Sequence, residues 1–156
     1  LVHPGGPPYV TQATDARLLA RAFEWAASDE AARGEIFNIT NGDCMVYADL
    51  WQVVADEFHM PLGPAEPMHL TEIMADKGAV WAEIQAAHDL RPIAYEDLVG
   101  DAWQFADFSF AAGKTPGPVI VSDVKARRHG FHDCIDTEDM LREWLGILRR
   151  ERLLPP

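Results

Sequence analysis

A helix-rich α/β fold with few strands is the architecture this sequence predicts, and three observations predict it. Glu35-Ile-Phe-Asn-Ile-Thr40 is rich in β-branched and aromatic residues, and Asn41-Gly42-Asp43 closes it with residues that tolerate a left-handed backbone. The segments on either side, Asp15 to Ala27 and Tyr47 to Phe58, carry apolar residues at helical spacing. The order is therefore helix, strand, turn, helix, which suggests an α/β layer. The rest of the chain offers very few other strands. One strand cannot cover both its faces and satisfy both its edges, so either the sheet is small and irregular or most of it lies elsewhere. At 156 residues the chain, 1–156, is expected to be a single domain with a real core.

The elements follow in order. Leu1 to Pro8 holds Pro4, Gly5, Gly6, Pro7 and Pro8 and cannot start a regular element; with Leu1 in place of an initiator methionine, the chain is expected to be a piece of a larger protein. Asp15 caps a helix whose apolar stripe is Leu18, Leu19, Ala22, Phe23 and Ala26. After the strand, Leu50, Trp51, Val53, Val54 and Phe58 form the packed face of a second helix. Pro61, Gly63, Pro64 and Pro67 break the pattern; Thr71 restarts it, Gly78 interrupts it, and Val80, Trp81 and Ile84 carry it to His88, giving a kinked helical pair. Tyr95 to Phe110 is aromatic with little clean periodicity and fits one or two short helices covering a core or a pocket. Lys114 to Pro118 is a loop. Ser122 or Asp123 caps a short basic helix, Val124 to His129, stopped by Gly130. Asp136 or Thr137 caps the last helix, whose apolar face is Met140, Leu141, Trp144, Leu145 and Leu148 and whose C-terminal end carries Arg149, Arg150 and Arg152.

Composition and motifs exclude several functions. A formal charge of −12 argues against nucleic acid, whose phosphates need lysine and arginine. No apolar run reaches the ~20 residues of a membrane helix, so no membrane is expected as partner and the expected setting is cytoplasmic. Cys44 and Cys134 are expected to be free thiols. There is no Gly-x-Gly-x-x-Gly and no Gly-x-x-x-x-Gly-Lys-Ser/Thr, hence no cofactor-binding residue in this chain. Tyr9, Tyr47 and Tyr95 all lack a lysine four residues on, so the Tyr-x-x-x-Lys pair of proton-transferring dehydrogenases is missing and no catalytic residue is assigned. His129-Gly-Phe-His132-Asp133-Cys134 brings three ligand types within six residues, but no second His or Cys cluster exists to complete a zinc tetrahedron. No metal is assigned.

Several short segments resemble one superfamily in the right order. Ser122-Asp-Val-Lys-Ala-Arg-Arg-His-Gly-Phe131 is similar to an element near the C-terminus of extended short-chain dehydrogenases/reductases, the NAD(P)-dependent epimerase/dehydratase superfamily, and Thr14-Asp15 to Asp43 resembles the part just before it. More narrowly, Trp25-Ala-Ala, Phe37-Asn38 to Asn41-Gly42-Asp43, Leu50-Trp51, Lys77-Gly78-Ala79-Val80-Trp81 and Gly130-Phe131 with Ile135-Asp136-Thr137 are similar to the progesterone 5β-reductase/iridoid synthase-like branch. The resemblance implies the C-terminal, substrate-covering portion of a Rossmann-type enzyme that reduces the C=C of enones with NADPH. The N-terminal dinucleotide-binding portion is absent, so NADP or NAD belongs to the intact enzyme and none to this chain. It implies substrate-lining roles for Phe131 and His132, the histidine departing from the family's aromatic and adding a polar handle. The implied partner is a small apolar carbonyl substrate. Epimerase or dehydratase chemistry shares the fold and remains an alternative, as does a stand-alone, non-catalytic binding or assembly domain. If Glu35 to Thr40 belongs to a larger sheet, an edge and an apolar face lack their cover in this chain, and a two-fold homo-oligomer burying Ile36, Phe37 or Ile39 and part of the Asp15 to Ala27 helix is expected.

Overall fold

The computed structural model describes residues 1–156. The protein is helix-rich with two short strands, as expected, but the strand expected over Glu35 to Thr40 does not form. The strands are instead Val10–Thr11 (β1) and Met45–Val46 (β2), paired antiparallel with Val10 opposite Val46 and Thr11 opposite Met45. β-Propensity is realised only against a partner backbone. No ladder reaches 36–40; the flanking backbone bonds are at Glu35, whose N–H donates to Ala32 O (3.2 Å), and at Asn41, whose N–H donates to Ala13 O (2.8 Å) and whose carbonyl accepts from Ile135 N–H (2.9 Å). Ile36, expected to be buried, is 86% exposed.

The helices lie where periodicity puts them: α1 Ala16–Ser28, α2 Tyr47–Glu57, α3 Leu70–Ile73, α4 Gly78–His88, α5 Tyr95–Val99, α6 Ala102–Ser109, α7 Val124–Arg128 and α8 Thr137–Arg150, with a 3-10 turn at Glu30–Ala32. Asp15 caps α1, its carboxylate accepting from Arg17 N–H at 2.7 Å. At α7, Ser122 Oγ accepts from Val124 N–H at 3.4 Å, while the Asp123 carboxylate is committed to Arg127 (3.0 Å). Asp136 accepts from Asp139 N–H at the start of α8 (3.0 Å).

The chain gathers into two compact units, each discontinuous in sequence. The first comprises 1–8, 47–116 and 142–156. Its buried residues include Leu50 and Val53 of α2, Leu70, Leu90 and Tyr95. Tyr95 O–H donates to Met74 O (2.6 Å) and accepts from Trp103 Nε1–H (3.0 Å), tying α5, α6 and the end of α3. Phe105 and Phe108, expected to cover a core or a pocket, are 68% and 73% exposed. Asp107 fastens α6 to α3: its carboxylate accepts from Leu70 N–H (2.6 Å), Thr71 N–H (3.2 Å) and Thr71 O–H (2.7 Å). Burial pushes this carboxyl up, and the three donors outweigh it and hold it below its ordinary value.

The second unit, 9–46 and 117–141, has one core: Leu18 and Ala22 of α1, Ala126 of α7 and Phe131, with Trp25, Phe37, Ile39 and Ile135 packed against them. No helix of the protein is long and apolar enough to cross a membrane.

Candidate functional site

The second unit is organised by the Asn41-Gly42-Asp43 turn. Asn41 is fully buried; its Oδ1 accepts from Asp15 N–H at the head of α1 (2.7 Å), and its Nδ2 donates to Thr137 Oγ1 at the head of α8 (3.1 Å). Asp43 completes the arrangement, one carboxylate oxygen accepting from Thr137 N–H (2.8 Å) and the other from Thr137 O–H (2.7 Å). The turn thus holds the orphan amides of two helix starts. Gly42 sits between them at φ +103°, and a Cβ there would lie 2.6 Å from Arg127 Nη2 and 3.1 Å from Cys134 Cβ.

Phe131 is positioned by the end of α7. Gly130 (φ +101°) lets its own N–H reach Arg127 O (3.2 Å) and Phe131 N–H reach Ala126 O (3.1 Å), the paired bonds of a Schellman stop. The hydrophobic contact that accompanies such a stop is Phe131 against Ala126. Phe131 is 7% exposed and its ring lies 5.3 Å from that of Trp25, which lies 4.9 Å from Phe37. His129 stands edge-on to Phe37 at 5.3 Å, and Lys125 Nζ is 5.1 Å from the centre of the same ring.

Beside this aromatic group opens a cavity of about 340 Å³ lined by Leu19, Ala22, Phe23, Trp25, Phe37 and Ile39, with Thr14 and Ala26 completing it. Its lining is apolar apart from Thr14, whose hydroxyl donates to Ile39 O (2.9 Å), and the indole of Trp25, whose buried N–H has no partner. A buried donor left unsatisfied costs about 1–3 kcal/mol. The hollow therefore suits an apolar group, whether on a small molecule or on a packed segment of polypeptide.

The two residues expected to line a substrate site part company. Phe131 buttresses Trp25 from the core and is not among the cavity's lining residues, whereas His132 is exposed on the loop that follows. The ligand types clustered from His129 to Cys134 do not converge: His129 Nδ1 lies 2.8 Å from Lys125 O, Asp133 pairs with Arg21 (2.7 Å), Cys44 and Cys134 are free and exposed, and no group of three His, Cys, Asp or Glu side chains could hold a metal ion. Sequence reasoning did not bring Trp25 and Phe37 to the site. Their signal was the aromatic character of Phe37, expected on the buried strand, and of Trp25, which lies outside the apolar stripe expected for α1. A wider cleft of about 680 Å³ in the first unit is bordered by Glu57, Asp89, Arg149 and Arg152, but these four already pair with one another.

No family model matches the chain. It is 33% identical over 148 residues to the (S)-8-oxocitronellyl enol synthase of Camptotheca acuminata, 34% over 146 residues to that of Antirrhinum majus, and 32% over 162 residues to that of Catharanthus roseus. The chain is a homologue of these enol synthases. The matches agree with the resemblance of its motifs to the iridoid synthase-like branch. These alignments cover 92%, 92% and 99% of the chain but 36%, 36% and 40% of the three relatives, so the chain spans about two-fifths of their length or less. The homologues are enzymes by name.

Proposed function

We propose that this chain is the C-terminal, substrate-covering portion of an NADPH-dependent reductase of small apolar conjugated carbonyl compounds, and that it is inactive alone. One observation carries the reading: homology to the enol synthases runs through nearly the whole chain while spanning little more than a third of theirs. The sequence carries neither a Gly-x-Gly-x-x-Gly nor a Tyr-x-x-x-Lys pair, and in this reading hydride and proton delivery fall to the remainder of the longer protein. Glu35 to Thr40 supports it as well. It has the composition of a strand but no ladder, and a Rossmann-type sheet supplied by that remainder would give it one. The relatives' name describes an oxo group and an enol on a citronellyl skeleton, which fits an aromatic-walled apolar site. In this reading Phe131 shapes the substrate wall through Trp25, His132 supplies a polar contact at its rim, and the setting is cytoplasmic.

The test uses the natural gene product that carries this segment, mixed with NADPH and a series of conjugated enals and enones. Consumption of NADPH with loss of the C=C bond is the expected outcome; turnover of a sugar nucleotide with no enone reduction would favour the epimerase or dehydratase alternative instead. The 156-residue chain alone should show neither turnover nor tight cofactor binding, and a micromolar NADPH affinity by calorimetry would refute the assignment of the cofactor to the remainder.

A further inference from the structure

We propose that residues 1–8 form a proton-released strap on the first unit, with His3 as its latch. The strap runs along 63–68, where Gly63 N–H donates to Leu1 O (2.7 Å), Glu66 N–H to His3 O (3.0 Å) and Met68 N–H to Pro4 O (2.9 Å). Trp51 Nε1–H reaches Val2 O (2.6 Å), and Gly6 N–H reaches Phe110 O (2.9 Å). At the centre His3 is 6% exposed, its ring set edge-on to Trp51 at 5.2 Å and tilted against Phe110 at 5.7 Å. Gly5 closes over it: a Cβ there would collide with His3 Cε1 and lie 2.7 Å from Phe110 O.

Neither buried ring nitrogen of His3 has a hydrogen-bond partner. A neutral imidazole already leaves one N–H unsatisfied in this position, and an imidazolium would leave two together with a charge. The titratable groups within a turn of its contacts are Tyr47 and Asp49 on α2, Glu66 and His69 on the facing segment, Asp107 on α6 and Lys114 after it. None of them bonds to the ring, and Asp107 is taken up by Leu70 and Thr71. Burial alone therefore holds the imidazole below its ordinary value of 6.5.

The sign follows from linkage. A group whose pKa is lower when the strap is closed than when it is free contributes its full stability above the free value. That stability drains away as pH falls from about 6.5 toward the closed-state value, because only the released histidine takes up the proton. Release uncovers the faces of Trp51 and Phe110, so mild acid converts a closed aromatic group into an accessible one.

Amide hydrogen exchange at Glu66 and Met68, the donors to His3 and Pro4, reads the strap directly. After correction for the intrinsic pH dependence, their protection should fall at least ~3-fold between about pH 7.5 and about pH 5.5 in the wild-type, full-length gene product that carries this segment. His3→Phe, which keeps an aromatic ring and removes the titration, should abolish that change. NMR titration of the His3 ring in the wild-type chain provides a readout that does not depend on the variant folding, and the ring should titrate below its ordinary value of 6.5. Protection independent of pH in the wild type, an unaltered pH response in His3→Phe, or a His3 ring that titrates at or above the ordinary value would each overturn the proposal.

Discussion

Phe131→Ala would remove a 7%-exposed ring from the contact with Trp25, Ala126 and Leu18. Large-to-small changes of this kind cost about 3–5 kcal/mol, and denaturant unfolding of the chain measures it. In the reductase proposed for the full-length gene product the same variant, studied where it remains folded, should weaken substrate affinity more than cofactor affinity; equal losses would reduce the residue to its packing role. Gly42→Ala should be costly for a different reason. Its φ of +103° is closed to L residues, and the added carbon would press on Arg127 and Cys134. A loss of at least ~1–2 kcal/mol is expected, and a melting temperature equal to wild type would show that the turn can rearrange. The sequence shows Asn41-Gly42-Asp43 as a turn but not as a clamp. Its partners Asp15 and Thr137 lie 26 and 96 residues from Asn41, and no local pattern marks bonds of that range.

Outside Tyr95 to Phe110, helices were legible because each carries its own periodicity and its own start or stop signals: Asp15 before α1, Gly78 opening α4, Gly130 after α7 and Asp136 before α8 all act where the residue types imply. The strand was not, because a strand is a property of two segments and sequence shows only one of them. Trp144 illustrates a lesser limit, since periodicity places it on the apolar face of α8 yet it is 36% exposed. The C-terminal half of α8 yields a pH prediction. Arg149 donates to the Glu57 carboxylate at 2.7 Å and Arg142 at 3.4 Å, and the Arg149 bond foremost holds this carboxyl below its ordinary value of 4.5. The attachment of α8 to the end of α2 is therefore at full strength above about that pH and weakens as pH falls through the lowered value. Thermal unfolding followed between about pH 6 and about pH 3 should show a shallower acid decline in Glu57→Gln than in wild type. Parallel declines would mean that other carboxylates govern the acid limb.

At the scale of the whole molecule, the second unit presents Phe23 (66% exposed), Ile36 (86%) and the run Val119 to Val121 (46–59%) to solvent. Surfaces of this kind recruit cover. Two copies of the isolated chain should associate through Phe23, Ile36 and the segment that follows, and sedimentation at low concentration should show a two-fold dimer that Ile36→Lys disperses. A monodisperse monomer with its 36–40 amides protected from exchange would rule this out. Both units are also assembled from pieces far apart in the chain. The second unit needs 117–141 to complete what 9–46 begins, and the first needs 142–156. During synthesis from the N-terminus, Leu18, Ala22 and Phe37 thus leave the ribosome long before Ala126 and Phe131 exist to cover them. For that interval the nascent chain carries apolar surface with no native mate, and it should depend on holding chaperones more than a protein whose units close in order of translation.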